Sequence, residues 1–409
     1  MSLDMVSFDA ALKEHYTDQR VENMVYKDNP LLALLPKYEE FGGRNLPIPL
    51  IYGNPQNRSA TFSYAISGVT NSLLDQFTLT RVKDYSIATI DNETLEASKG
   101  SENAFMEAAT TEIDGCIQSL TRSTAIAIYG TGFGSIGNVS APGASTTLTL
   151  TNPNDITNFE AGMVLVFATA EATGTLLGAP DTLTVVAVDR SAGTMTVNAN
   201  VNTVTGIANG DFIFPIGDRQ NVVTPAAIKI SGLKAWIPAA TPSATPFFGV
   251  NRTIDATRLG GMRYAGTGVP LEEALIEGAS RVAREGGKID HYFLNYKQYA
   301  ALEKSLGSKV QYIDLKVNAE VGFRGIVVSG PRGPINVIPD QNCPSGSMFG
   351  LQLDTWKLYT LGKAIRVIDT DGLQMLRQAS ADGVEVRYGM YGNLGCRGPG
   401  FNIHITTDA

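Results

Sequence analysis

Three cysteines, three histidines and no long apolar run are all that this 409-residue chain offers of those features, and each shortage removes a class of function. Cys116, Cys343 and Cys396 stand far apart without CxxC spacing, so they predict reduced, buried thiols and not a disulfide framework. His15, His291 and His404 are equally scattered, which leaves neither a zinc site nor a histidine-based hydrolase its raw material in one place. No stretch of about 18 apolar residues predicts a transmembrane helix. The opening MSLDMVSFDAALKEHY lacks the basic-then-apolar order of a signal peptide. Basic charge is short as well. The formal net charge is −8, whereas sequence-independent DNA binding needs an excess of Lys and Arg to displace counterions. DNA beside this chain would meet a wall and not a grip. Charged residues make up 18% of the chain, light for a soluble monomer, which points to surface that ends against other copies.

Catalytic chemistry is just as thin. Gly132-Phe133-Gly134-Ser135-Ile136-Gly137 is a literal GxGxxG, but a dinucleotide fingerprint needs a strand before it and a helix after it. Here a long helical pattern precedes and NVSAPGASTT follows, so a flexible connector is expected. Glu285, Lys288, Asp290 and His291 lie close together in VAREGGKIDHYF and have the residue types of a general acid–base pair. A helix C-terminus followed by a charged turn accounts for them more simply. The serines sit in no GxSxG elbow. Trp236, Phe247, Phe248 and Tyr264 have no interleaved basic patch, which favours packing over base stacking. Arg58, Arg81 and Lys83 read equally as a basic finger for an acidic neighbour or as solvated strand edges. We therefore expect no catalytic, cofactor-binding or metal-binding residue, no cofactor, and no enzyme.

What is present is a sequence of unlike parts, in a chain long enough for two to three domains. Residues 1–55 read as an arm: a loose helical pattern over Leu3–Tyr26 (Phe8, Leu12, Tyr16, Val21, Met24), a break at Asn29-Pro30, then the Gly- and Pro-rich FGGRNLPIPLIYGNPQN, extended and unable to build its own core. Thr61–Ile66, alternating Phe62, Tyr64 and Ile66, and Phe77–Ile90 read as the two strands of one long hairpin joined through Gly68–Leu74. Such a hairpin is marginal alone in water. Ser101–Ile128 is the strongest helix, with Phe105, Ala109, Ile113, Cys116 and Leu120 on one face. At 1.5 Å per residue it would be about 40 Å long.

Over Asn138–Gly217 lysine vanishes and only seven charged residues remain. Short apolar runs (TLTLT, MVLVFA, LTVVAV, MTVNA, DFIF) separated by turns predict a small β-barrel or sandwich. Helices follow at Pro270–Arg284 and Tyr296–Leu306, with a strand at Asp290–Leu294 between them. Apolar segments GIVVSG, INVIP, SMFGLQL and WKLYTL come next, and the alternation makes an α+β domain. The end, Gly383–Ile405, is again strand-rich.

The stretch FFGVNRTIDATRLGGMRY…PLEEALIEGASRVAREGGKIDHYFLNYKQYAALEKSLGSKV, then GFRGIVVSGPRGPINVIPDQNCPSGSMFGLQLDTWKL and YGMYGNLGCRGPGFN, resembles tailed-bacteriophage major capsid proteins of the Hong Kong 97-type fold. The order of parts matches over nearly the whole chain, and 138–217 is similar to the extra surface domains some members insert. The resemblance implies an N-terminal arm at 1–55, an extended hairpin loop at 56–95, a peripheral domain at 96–137 with a spine helix, an inserted β domain at 138–218, an axial domain at 219–364, and peripheral return strands at 365–409. It implies hexamers and pentamers closing an icosahedral shell in the virion, around packaged DNA as non-specific contents. The protein would be made in the host bacterial cytoplasm and meet no membrane. Its further partners would be a portal, a separate scaffolding protein and a decoration or cement protein. One lineage crosslinks a hairpin lysine to a neighbour, for which Lys83 would be the hairpin lysine. The alternatives are an encapsulin-like compartment shell, which shares the fold, and a β-rich adhesion or receptor-binding protein, which leaves the long helix unexplained.

Overall fold

A computed structural model describes residues 29–91, 102–178, 181–306, 312–317, 321–369, 372, 375–378 and 382–408. The helical pattern expected over Leu3–Tyr26 lies outside them. Within the expected arm, helix α1 (Pro30–Leu34) opens on a proline, tolerated there because the first helical N–H has no intrahelical partner. Its Leu31 and Leu32, with Leu35, are buried in the main core. Strand β1 (Lys37–Tyr38) pairs parallel with the later 356–360 strand. Residues 29–41 are thus part of the body, not a free arm.

A hairpin is present, but its strands are not the two expected. Strand β2 (Asn45–Gly53) pairs antiparallel with β3 (Leu73–Thr80), from Asn45↔Thr80 to Gly53↔Leu73, as a two-stranded ribbon. Between them Thr61–Ile66, expected as a strand, contributes instead to helix α2 (Phe62–Ser67). Three aromatic and aliphatic residues at every second position fit a strand or one exposed turn of helix equally well when no core selects a face. The expected long strand Phe77–Ile90 is two strands. After Arg81 the chain changes sheet, and β4 (Val82–Asp91) joins the body. The missed strand holds Pro47 and Pro49. Opposite Pro47, Thr78 turns its N–H outward to the Phe248 carbonyl at 2.8 Å, so this is a non-hydrogen-bonded pair and the absent proline N–H loses no ladder bond.

Helix α3 (Glu102–Tyr129) runs across β4 and the long strand that pairs with it. It buries Ile113, Ile117, Leu120, Thr124 and Ile128, the spacing of one helix face. The stripe expected through Ile113, Cys116 and Leu120 is therefore centred slightly to one side, on Ile117. Phe105 and Ala109 lie where side chains are not described.

Strands β5 (Gly137–Ser140), β6 (Thr147–Leu150), β7 (Val164–Ala168), β8 (Leu183–Asp189), β9 (Thr194–Val197) and β10 (Phe212–Pro215) close into a barrel in the order β10-β5-β6-β9-β8-β7. Of the two architectures open from sequence, the structure takes the barrel. Val139, Leu148, Leu165, Phe167, Val185, Met195 and Ile213 fill it.

Short helix α4 (Leu233–Trp236) returns the chain to the main core. A seven-stranded sheet follows, built from β11 (Met262–Ala265), β12 (His291–Leu294), β13 (Tyr312–Val317), β14 (Val321–Gly330), β15 (Gly333–Pro339), β16 (Ser347–Leu351) and, past an intervening sheet, β21 (Ile403–Thr406). Helices α5 (Leu271–Arg284) and α6 (Tyr296–Leu306) pack on it through Ala274, Leu275, Ala279, Val282 and Leu302. The intervening sheet gathers β17 (Trp356–Thr360), β18 (Arg366–Val367), β19 (Leu376–Arg377), β20 (Gly383–Cys396), β1 and β4.

The division expected at 364/365 is thereby crossed in both directions. Strand β17, expected in the axial domain, pairs with β20, while β21, expected among the return strands, pairs with β11 and β16. Buried Asn402 ties the crossing. Its carbonyl oxygen accepts from Trp356 Nε1 and Gln352 N, both at 2.8 Å, and its amide donates to Thr355 Oγ1 and to the Gly398 carbonyl. With its valences filled, the buried Asn402 amide carries no unsatisfied polar atom of its own.

Candidate assembly surface

The ribbon of β2 and β3 has two ends of opposite character. At its root, Ile48, Phe77 and Leu79 are buried. Phe77 meets Trp236 edge-on at 4.9 Å, and Trp236 meets Phe247 at 5.1 Å and Trp356 at 6.3 Å. Arg252 lies over the Phe247 ring at 4.1 Å, and burial lowers its pKa to about 10. This aromatic knot holds the ribbon rigidly where it leaves the body, and Arg258 donates to the Tyr52 carbonyl at 2.8 Å further out.

At the far end no described residue of the chain covers it. Phe62 is 80% exposed and Tyr64 73%, with Ile51, Ile66, Val69, Leu73 and Leu74 also open to solvent. Helix α2 buries no residue at all. Seven large apolar side chains on one thin projection are the signature of a surface that another molecule covers. A second, smaller patch lies on the outward face of β4, where Tyr85 and Ile87 are exposed and Tyr85 packs edge-on against Tyr391 at 5.8 Å.

The residues singled out in the sequence fall into separate places. Gly132–Gly137 leads from α3 into β5, so a strand follows and no helix N-terminus faces it. Lys288 and Asp290 stand 3.9 Å apart, Glu285 approaches Arg284, and His291 contacts Asn336 at 3.4 Å. Burial raises the carboxyl of Asp290 and lowers the imidazole of His291, yet each group has its own neighbour and they converge on no common point. His404 is buried against Phe349, ring centroids 4.4 Å apart, with Nδ1 3.0 Å from the Ile237 carbonyl. His15 lies outside the described residues.

Cys343 and Cys396 are buried free thiols, and Cys116 is half-buried. Among the described residues no group of three His, Cys, Asp or Glu could hold a metal ion. Trp236, Phe247 and Phe248 form the ribbon's root, whereas Tyr264 sits apart under Arg281 at 4.4 Å. Arg81 is spent on the Phe41 carbonyl at 2.8 Å and on its ring. Arg58 is exposed on the ribbon's loop. Lys83 belongs to β4, opposite Tyr391 in the body sheet, and the ribbon itself, 45–80, contains no lysine. A lysine crosslink from the ribbon therefore lacks its donor.

The sequence singles out Phe62, Tyr64 and Ile66, though as the alternating residues of a strand, and gives no mark to Ile51, Leu73 and Leu74 as part of the same surface. The alternation of Leu46, Ile48 and Leu50 marks the inward face of β2, and Ile51 falls on its other face, with Pro47 and Pro49, where no periodic signal points to it.

Residues 208–392 match the family model of the SU10 major capsid protein. No curated protein sequence matches the chain. Among solved structures it is similar to the cyanophage A-1(L) capsid asymmetric unit, with a TM-score of 0.51, 12% identity, and 92% of each chain covered. The capsid of a native GTA particle gives a TM-score of 0.46 at 8% identity, covering 92% of this chain and 90% of the other. The holo-SrpI encapsulin of Synechococcus elongatus gives 0.44 at 7%, covering 92% and 86%. The fold is that of a phage capsid subunit, mixed helix and sheet.

Proposed function

We infer how this chain, a major capsid protein by its family match, builds a shell. The ribbon 45–80 is the extended loop of a Hong Kong 97-type subunit and lies over a neighbouring copy, its root fixed by Trp236 and its apolar end covered only in the assembly. Helix α3 is the spine, with the sheet around β20 as the peripheral domain. The seven-stranded sheet with α5 and α6 is the axial domain, and the barrel is an inserted surface domain. Six or five copies close each capsomer around the axial domains, and capsomers close an icosahedral shell around DNA held as non-specific contents. A portal, a separate scaffolding protein and a decoration or cement protein complete the particle, which is made in the bacterial cytoplasm.

The single observation that carries this reading is the ribbon's far end. A subunit evolved to stay alone would not expose seven large apolar side chains on a projection with no core of its own. Many modest contacts repeated around a closed shell add through avidity. Negative-stain microscopy and sedimentation of the full-length chain test it, and closed particles or capsomers are expected. A protein that stays monomeric at every concentration overturns it.

A further inference from the structure

One buried lysine holds both necks of the barrel. The chain enters the barrel through 131–136 and leaves it after β10 through 216–229. Lys229 is almost inaccessible to solvent, and its ammonium contacts Asp84 Oδ2 on β4 at 2.7 Å and Asp218 Oδ2 on the exit neck at 3.2 Å. It also donates to Ser123 Oγ on α3 at 2.8 Å, and Ser123 donates onward to Asp84 at 2.6 Å. Its backbone N–H reaches the Gly132 carbonyl on the entry neck at 3.1 Å. The next residue, Ile230, is buried in the main core, so Lys229 is planted on the body side of the joint.

Around this cluster the barrel is loosely seated. Its core and the main core are separate clusters of buried residues. A cavity of about 850 Å³ lies between barrel and helix, lined by Ser119, Arg122, Ile136, Glu160 and Met163 among others. Polar contacts span the joint: Arg122 with Glu160, and Asn154 Nδ2 to Ser345 Oγ at 3.3 Å. Each neck contains a glycine at positive φ, Gly134 at 83° and Gly217 at 88°, a conformation that other residues resist. A Cβ on Gly134 would stand 2.7 Å from the Asp218 carbonyl oxygen, so the two necks touch there.

Two carboxylates share one ammonium. Burial raises the Asp218 carboxyl, Lys229 opposes that rise, and Asp84 adds to it. Loss of the Asp218 charge leaves Lys229, Asp84 and Ser123 joined and frees the exit neck alone.

We propose that Lys229 is a latch that fixes the barrel's angle on the body, and that releasing Asp218 from it lets the barrel swing on Gly134 and Gly217 toward α3, into the cleft. The proposal depends on the single subunit and stands or falls apart from the shell reading. A reporter pair, Ser119→Cys with Met163→Cys on the two walls of the cleft, reads the motion in full-length protein carrying Cys116→Ala. Disulfide formation in the pair should speed up about tenfold or more with Asp218→Asn, the scale of one lost charge-assisted hydrogen bond, and likewise with Lys229→Met. Hydrogen exchange of β7 and β20 should stay at the parent's level in Asp218→Asn. An unchanged crosslinking rate in Asp218→Asn overturns the latch. So does a faster rate accompanied by lost protection in β7 or β20, because that reports unfolding and not a swing.

Discussion

Truncating Phe62 to alanine should leave the subunit as stable as before and cripple the shell. In the single chain Phe62 is 80% exposed, so the substitution removes almost no buried area and costs within about 0.5 kcal/mol of folding stability. When a neighbour covers it, full burial of a phenylalanine contributes about 1.5–3 kcal/mol. Four-fifths of that remains to be gained on assembly, or roughly 1–2.5 kcal/mol per contact. A tenfold change in affinity corresponds to about 1.4 kcal/mol, so one contact weakens up to some fifty-fold, and a closed ring repeats the loss at every interface. Particle yield by sedimentation and microscopy, beside the thermal melt of unassembled subunit, separates the two effects. Tyr64→Ala should behave alike. If both variants assemble at wild-type yield, the ribbon's end is not an interface. If instead the subunit melt falls by several degrees, α2 packs on its own chain and the reasoning fails at its first step.

Helix α3 gives a contrasting test: Ile113 is buried and Gln118 exposed on it, so Ile113→Ala should cost about 2–5 kcal/mol and Gln118→Ala within about 0.5 kcal/mol, compared by melting and particle yield. Deleting 140–215 with a short Gly/Ser bridge should leave both remaining sheets folded, because the barrel's core is separate; circular dichroism or limited proteolysis showing collapse of the seven-stranded sheet would refute that. Two titratable groups, buried His404 and half-buried Asp155, should oppose each other in acid. His404 has its pKa lowered to about 4 by burial, so its contribution is complete above the unfolded value of about 6.5 and is lost as pH falls toward 4. Asp155 has its pKa raised to about 6 by burial, with Lys234 opposing, so its contribution is complete below about 3.8 and is lost as pH rises through 6. Asp155→Asn should therefore raise the melting temperature at pH 7, by the equivalent of about 3 kcal/mol, and this advantage should vanish near pH 4. An advantage that grows in acid would reverse the sign argument.

Elements whose pattern is completed by their own chain were legible in the sequence. Helix α3 announces itself through residues spaced by three and four, α5 and α6 through glycines and apolar faces, and the barrel strands through short apolar runs between turns. All of these bury one face against residues of the same polypeptide, so periodicity and burial agree. The pairing of β17 with β20, and of β21 with β16, was not legible. Register between strands tens of residues apart is decided by cross-strand packing and by a few buried polar ties such as Asn402, and local sequence carries no record of which sheet a strand will enter.

The error at Thr61–Ile66 has another cause, and it bears on function. Local pattern decides between helix and strand only when a core rewards one face, and α2 meets no core among the described residues. Phe62, Tyr64 and Ile66 therefore satisfy both periods without preference, and the choice falls to the loop's closure between β2 and β3. The same lack of an internal partner makes these residues available to another copy. By contrast Phe77, at the root of the same ribbon and opposite Ile48, is fixed by Trp236 and Phe247. A ribbon rigid at one end and unsatisfied at the other is positioned before its partner arrives, so little ordering entropy is left for assembly to overcome at the root. If that is the design, loosening the root should hurt assembly as truncating the tip does: Phe77→Leu, which keeps apolar bulk but loses the edge-on contact with Trp236, should lower particle yield more than it lowers the subunit's melting temperature. A variant that melts early but still assembles fully would separate rigidity from assembly and refute the link.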